Sequence, residues 1–305
     1  MTGNTTEGMT EEQKIHSLGP LLSPKAARTL PWHALLPTAL LALLLAVVYA
    51  PSLADAAHQW VSDGSSEHGL LILPITLGLI WMLRDKVRAC RPAPLGAGVW
   101  LLGAGLLLET ATYLLRLRWF PLLSLVPVLA GAVLALHGPA LWRVLRFPIL
   151  FLTFLAPVPT AVTLPTAAAI QRASTTGTTQ ALTLLGVPAV QDGFDIVTPS
   201  LSVEVAQECS GFKKLTTLFA FAVFYGYVYG LPWPRRLALV LAVPPVALAV
   251  NVLRILALVL IGSAGGTRAL HAAHDGAEVS VVLVSFVLLT WVGKGLGCRS
   301  IRFYR

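Results

Sequence analysis

LALVLAVPPVALAVNVLRILALVL, residues 237–260, is 24 residues long and carries a single charge, Arg254. A helix that crosses a bilayer needs about 20 consecutive, mostly apolar residues. This stretch therefore predicts a spanning helix. Similar stretches lie on either side of it. They cover 33–50, 68–83, 97–115, 119–137, 146–161 and 213–231 upstream, and 278–293 downstream. The fold class that follows is an all-α polytopic membrane protein with about eight transmembrane helices, seven or nine being the alternatives. Composition agrees. The 305 residues are 56% hydrophobic and only 12% charged, whereas soluble proteins carry about 25% charged residues. A disordered chain, a collagen-like chain and an ordinary soluble enzyme are excluded.

The few charges orient the spans. Basic residues outnumber acidic ones 22 to 14, a net charge of +8. They fall in five groups: Lys14, Lys25 and Arg28; Arg84, Lys86, Arg88 and Arg91; Arg143 and Arg146; Arg235 and Arg236; Lys294, Arg299, Arg302 and Arg305. With both termini in the cytoplasm, all five groups fall inside, as the positive-inside rule requires. Asp55, Asp63 and Glu67 fall outside, and Arg116 and Arg118 dissent. No basic cluster interleaved with aromatics points to nucleic acid. The expected setting is a cell membrane, with lipid as a partner. Residues 1–30 read as a disordered cytoplasmic tail, 31–297 as the transmembrane catalytic domain and 298–305 as a second cytoplasmic tail. The stretch before SLADAA also fits a signal peptide, but its span-like length favours a membrane helix.

Residues 162–211 form the longest stretch without a span, and the orientation puts them outside. TLPTAAAIQRASTTGTTQALTLLG spaces apolar residues at helical intervals and predicts a helix lying in the interface. VPAVQDGFDIVTPSLSVEVAQ predicts two short extended segments, with turns at Asp192-Gly193 and Pro199-Ser200.

Three cysteines are present: Cys90, Cys209 and Cys298. The first and third lie inside, so Cys209 is alone outside. Ser210 and Gly211 follow it where a helix begins, and Lys213 and Lys214 lie in the first turn. A helix N-terminus stabilises a thiolate, while adjacent Glu208 opposes ionisation. A reactive thiol and a small buried apolar residue are both compatible with this setting.

Arg254 and Asn251 share a helix face. Ionisable residues inside a membrane are functional candidates. A snorkelling arginine, or one paired with Glu109, is the alternative. Between the last two spans, ALHAAHDGAEV predicts an outer loop with His271, His274, Asp275 and Glu278. Two histidines three residues apart are weak evidence for zinc, so neither metal nor cofactor is expected and acid–base chemistry is the better reading. His68 is either a cap for its span or a direct participant. A nucleophile, a cation and a base converge on one membrane face, which is what acyl transfer requires.

These residues carry a family resemblance. FPILFLTFLAPVP at 147–159, GVPAVQDGFDIVTPSLSVEVAQECSGFKKL at 186–215, NVLRI at 251–255 and HDGAEV at 274–279, with the His-Gly at 68–69, resemble the exosortase/archaeosortase family of polytopic membrane cysteine transpeptidases. The resemblance spans roughly residues 60–295. It implies Cys209 as nucleophile, Arg254 as the essential arginine and His274 as the acid–base residue; beside these, His68, Ser210, Asn251 and His271 are read as substrate-binding or supporting residues. The family often has Ala where this chain has Glu208, and a Gly–aromatic pair after the histidine where this chain has Asp-Gly-Ala-Glu, so His271 stays the alternative base. The implied substrates are secreted proteins with a C-terminal tripartite sorting signal, cleaved through a thioester and passed to an amine or to water. The oligomeric state is left open. A transporter or channel without peptidase activity would also suit many spans and a buried arginine. It gives no role to Cys209, and no inverted repeat shows in the hydropathy.

Overall fold

The computed structural model describes residues 32–62, 68–115, 121–206 and 212–298. The chain divides into two compact units, 1–47 and 48–305. The boundary falls inside α1 (Trp32–Ser62), and 32–47 is the described part of the first unit.

The second unit is mostly helical. After α1 come α2 (Gly69–Met82), α3 (Arg84–Ala89), α4 (Ala97–Leu114), α5 (Pro121–Leu136) and α6 (Pro139–Phe151). A 3-10 turn, Leu152–Leu155, leads to α7 (Thr160–Leu184). Strands β1 (Val190–Asp192), β2 (Asp195–Val197) and β3 (Ser202–Glu204) precede α8 (Phe212–Val228), α9 (Trp233–Leu241) and α10 (Val243–Gly295). Among the described residues, Leu36–Val61, Ala97–Leu114 and Trp233–Gly266 are long and apolar enough to cross a membrane. Gly69–Met82, Pro121–Leu136, Lys214–Val228 and Ser280–Gly295 are shorter apolar helices.

Four expectations change. First, α1 runs on past residue 50 and takes in Asp55, because SLADAAHQWVS supplies helix formers and no glycine before Gly64. Second, the span expected at 146–161 starts and ends earlier. Gly138, at φ 84°, and Pro139 set its start, and Pro157 and Pro159 deny it further N–H donors. Third, three strands form where two were expected. β1 pairs with β2 and β2 with β3, both antiparallel, with Ile196 opposite Val203. The expected turns hold: Gly193 sits at φ 62°, and the Thr198 N–H donates to the Leu201 carbonyl at 2.8 Å around Pro199-Ser200.

The fourth correction matters most. ALHAAHDGAEV is helical, not a loop, because Ala, Leu and Arg carry the helix on from Gly266. Gly266 alone departs from helical geometry within α10, at φ 73° and ψ −174°. The two arms fold back on each other there. Val243 and Leu289, each 23 residues from Gly266, share one apolar cluster.

One end of this unit collects basic residues. Leu79 and Leu83 pack with Val87, Val144, Phe147, Phe224 and Tyr227, which joins the ends of α2 and α8 to α3 and the start of α6. Ala93 N–H donates to the His137 carbonyl at 3.0 Å, and an Arg235 Nη1–H to the Leu296 carbonyl at 3.3 Å. These ties gather Arg84, Lys86, Arg88, Arg91, Arg143, Arg146, Arg235, Arg236 and Lys294. Exposed Trp81, Trp100, Trp233 and Trp291 mark the same end, as expected of an aromatic belt at a membrane interface. The sheet lies at the other. It packs through Ile196, Val203 and Val205 on Leu182, Ile255 and Val259. Ile255 is 22 residues beyond Trp233, roughly 33 Å of helix at 1.5 Å per residue.

Candidate active site

α7 presents an unusual face to its neighbours. Gln171, Ser174, Thr175 and Thr178 follow helical spacing and are all buried, the last three completely. Buried polar groups need partners, and these have them. Gln171 Nε2 donates to the Val205 carbonyl. Ser174 Oγ accepts from Asn251 Nδ2 at 2.9 Å. Thr175 Oγ1 donates to the Gln171 carbonyl at 2.9 Å, and Thr178 Oγ1 to the Val252 carbonyl at 3.4 Å. The Val252 side chain packs tightly on Gly177, where a Cβ would sit 3.0 Å from Val252 Cγ2. So α7 turns this polar face inward, while Val162, Leu164, Arg172 and Leu184 stay exposed. It is wedged between the first arm of α10 and the end of β3. The repeat of Gln, Ser and Thr at helical spacing was the signal in the sequence.

Asn251 is 1% exposed and Arg254 8%. At that exposure Arg254 does not snorkel. Glu109 is not its partner either. The Glu109 carboxyl is buried and accepts from Ser52 Oγ at 2.7 Å and Ser124 Oγ at 2.8 Å, and Tyr49 Oη lies 2.6 Å from the same Ser124. Among the described residues, Arg254 Nε has no hydrogen-bond partner and no carboxylate makes an ion pair with Arg254. A buried donor without an acceptor is costly.

His271 and His274 lie on the second arm of α10, three residues apart and so on one face, where the description covers backbone only. The arms are antiparallel about Gly266. Arg254 is therefore about 18 Å from the turn along one arm, and His274 about 12 Å along the other. Their levels differ by less than two helical turns.

His68 has a structural commitment. It is 7% exposed and its imidazole hydrogen-bonds the Phe154 carbonyl, which ties the start of α2 to the 3-10 turn. Gly69 follows because the Trp60 indole leaves no room, a Cβ there falling 2.2 Å from Nε1. No described contact joins His68 to Asn251 or Arg254.

Two thiols are described, both at the basic end. Cys90 Sγ donates to the Lys86 carbonyl at 3.3 Å. Cys298 is 2% exposed, and burial pushes its thiol above the usual range, which keeps it protonated at neutral pH. Cys209 and Ser210 lie outside the described residues. The chain on either side is anchored. Val205 is 2% exposed, its N–H donates to the Phe194 carbonyl at 3.0 Å and its carbonyl accepts from Gln171. Leu215, in the first turn of α8, is buried at 6%.

Among known proteins, one family model matches, described as transmembrane exosortase (Exosortase_EpsH), over residues 60–291. No curated protein and no solved structure matches.

Proposed function

The chain belongs to the transmembrane exosortase family, and from that premise we propose that it is a membrane-embedded cysteine transpeptidase or protease. Its substrates are secreted proteins that carry a C-terminal tripartite sorting signal. The Cys209 thiolate attacks the carbonyl carbon of the scissile peptide. Arg254 donates to the oxyanion that forms. The C–N bond then breaks, and His274, or His271, gives its proton to the leaving amine. A thioester remains on Cys209. An amine acceptor, or water, displaces the thiolate. Ser210 and Asn251 support the site.

The observation that carries this reading is Arg254, buried with no acceptor at Nε among the described residues, on a hairpin whose other arm brings the two histidines to a similar level. Chain reach supports Cys209 as the third member. Cys209 is four residues past Val205, at most about 14 Å of extended chain, and Val205 packs in the same cluster as Ile255, the neighbour of Arg254.

The topology proposed with it has eight crossings, both termini in the cytoplasm and the active site outside. α1, α2, α4, α5, α6 with its 3-10 turn, α8, and α9 with the two arms of α10 supply the crossings. Support comes from the basic, tryptophan-rich end, which suits a cytoplasmic interface.

The test is co-expression with a tailed substrate. Cys209→Ala, Arg254→Ala and His274→Ala are each expected to stop tail cleavage. Full processing by Cys209→Ala ends the proposal.

A further inference from the structure

Gln171 stands out among the polar groups of α7. Its side chain is 6% exposed, and its hydrogen bond spans 34 residues of sequence to reach the Val205 carbonyl. That carbonyl sits where the sheet stops. The Val205 N–H is paired with Phe194, while its carbonyl turns to the helix instead. One turn further along the same face, Ser174 holds Asn251, and one turn beyond that Thr178 holds the Val252 carbonyl. A single rigid face thus grips both the strand that leads to Cys209 and the helix that carries Arg254.

We propose that Gln171 is a positioning residue for the reaction: by fixing the Val205 carbonyl to α7 it sets where the chain leading to Cys209 departs relative to Arg254. This rests on the function proposed above. The bond is directional. Only a donor can hold a carbonyl, and an amide N–H does so at any pH. Misplacing a reacting group by about 1 Å costs on the order of 100-fold in rate. Gln171→Leu removes the donor while keeping a side chain of similar size. Its kcat for tail cleavage is expected to fall about 10- to 100-fold with KM little changed.

Gln171→Glu is the decisive variant. It is nearly isosteric, but its carboxylate only accepts, and it faces an oxygen. Once protonated, its hydroxyl donates to the Val205 carbonyl and restores the bond. Relative to the parent protein, activity of this variant is expected to rise as pH falls from about 8 to about 5, the range in which a buried carboxyl titrates. Because protonation would also relieve a folding defect, folded protein is quantified at each pH and activity is taken per folded molecule, a ratio that a merely structural role would leave flat. The experiment measures tail processing against pH for the full chain in membranes, with Cys209→Ala alongside. A Gln171→Glu to parent ratio that stays flat with pH, or a Gln171→Leu variant with unchanged kcat, overturns the proposal while Cys209→Ala remains dead. Full processing by Cys209→Ala overturns the functional reading, and the positioning role falls with it.

Discussion

The two ends of the 48–305 unit handle polar groups in opposite ways. At the basic end most charges stand in the open, although Arg236 is half-buried and its Nε has no partner among the described residues. Arg84 lies 4.3 Å over the Trp81 ring and Arg236 6.0 Å from that of Tyr227, and Lys86, Arg88 and Arg91 are exposed. At the sheet end, Gln171, Ser174, Thr178, Asn251 and Arg254 are buried. Exposed charges need only the right side of a membrane, so their identity and position are loosely constrained. Gln171, Ser174, Thr178 and Asn251 each meet a partner there, which ties them to one geometry. The contrast separates charges that face outward from polar groups locked into the interior.

That contrast can be broken or sharpened by substitution. The largest effect is expected from Arg254→Met. Tail processing should fall by about 100- to 1,000-fold, the cost of losing an oxyanion donor. Thermal stability should hold or rise, because an apolar side chain of similar length replaces a buried cation. Loss of both folding and activity would make Arg254 a structural residue and erase the difference between the ends.

Ser174→Ala is expected to have an intermediate effect. It removes the acceptor for Asn251 Nδ2 and should lower stability by about 1–3 kcal/mol in thermal unfolding. Adding Asn251→Ala should cost less than the two single losses combined, since the partners are then removed together. Strict additivity would show that this bond contributes nothing to the brace.

The smallest effect belongs to the other end. Arg88→Gln removes an exposed charge and should change stability by less than about 0.5 kcal/mol, with processing per molecule unaltered. A marked loss of processing would mean that the basic end takes part in the reaction.

Much of this was legible in the sequence. Apolar runs announce α1, α2, α4, α5 and α8 because lipid demands long apolar surfaces. Arg254 announces itself because a charge is conspicuous in such a run. The brace on α7 is harder to see. Gln, Ser and Thr are ordinary residues for an interfacial helix, and nothing local distinguishes a hydroxyl facing water from one facing Asn251. The histidines lie in a helix where the sequence predicts a loop, since Asp275-Gly276 and Gly265-Gly266 are both compatible with a break. Only the second is one, with Gly266 at positive φ.

The sequence by itself determined that the chain is a mostly helical membrane protein, and it pointed to Cys209, Arg254 and a histidine as the groups to watch. Those follow from composition and spacing along a helix, which are local properties. Tertiary structure alone decided that Glu109 leaves Arg254 to other partners, that α10 doubles back at Gly266, and that Gln171 holds the strand before Cys209. Each is a contact between residues far apart in the chain. Partner choice for a buried polar group depends on what the fold brings within about 3 Å of it.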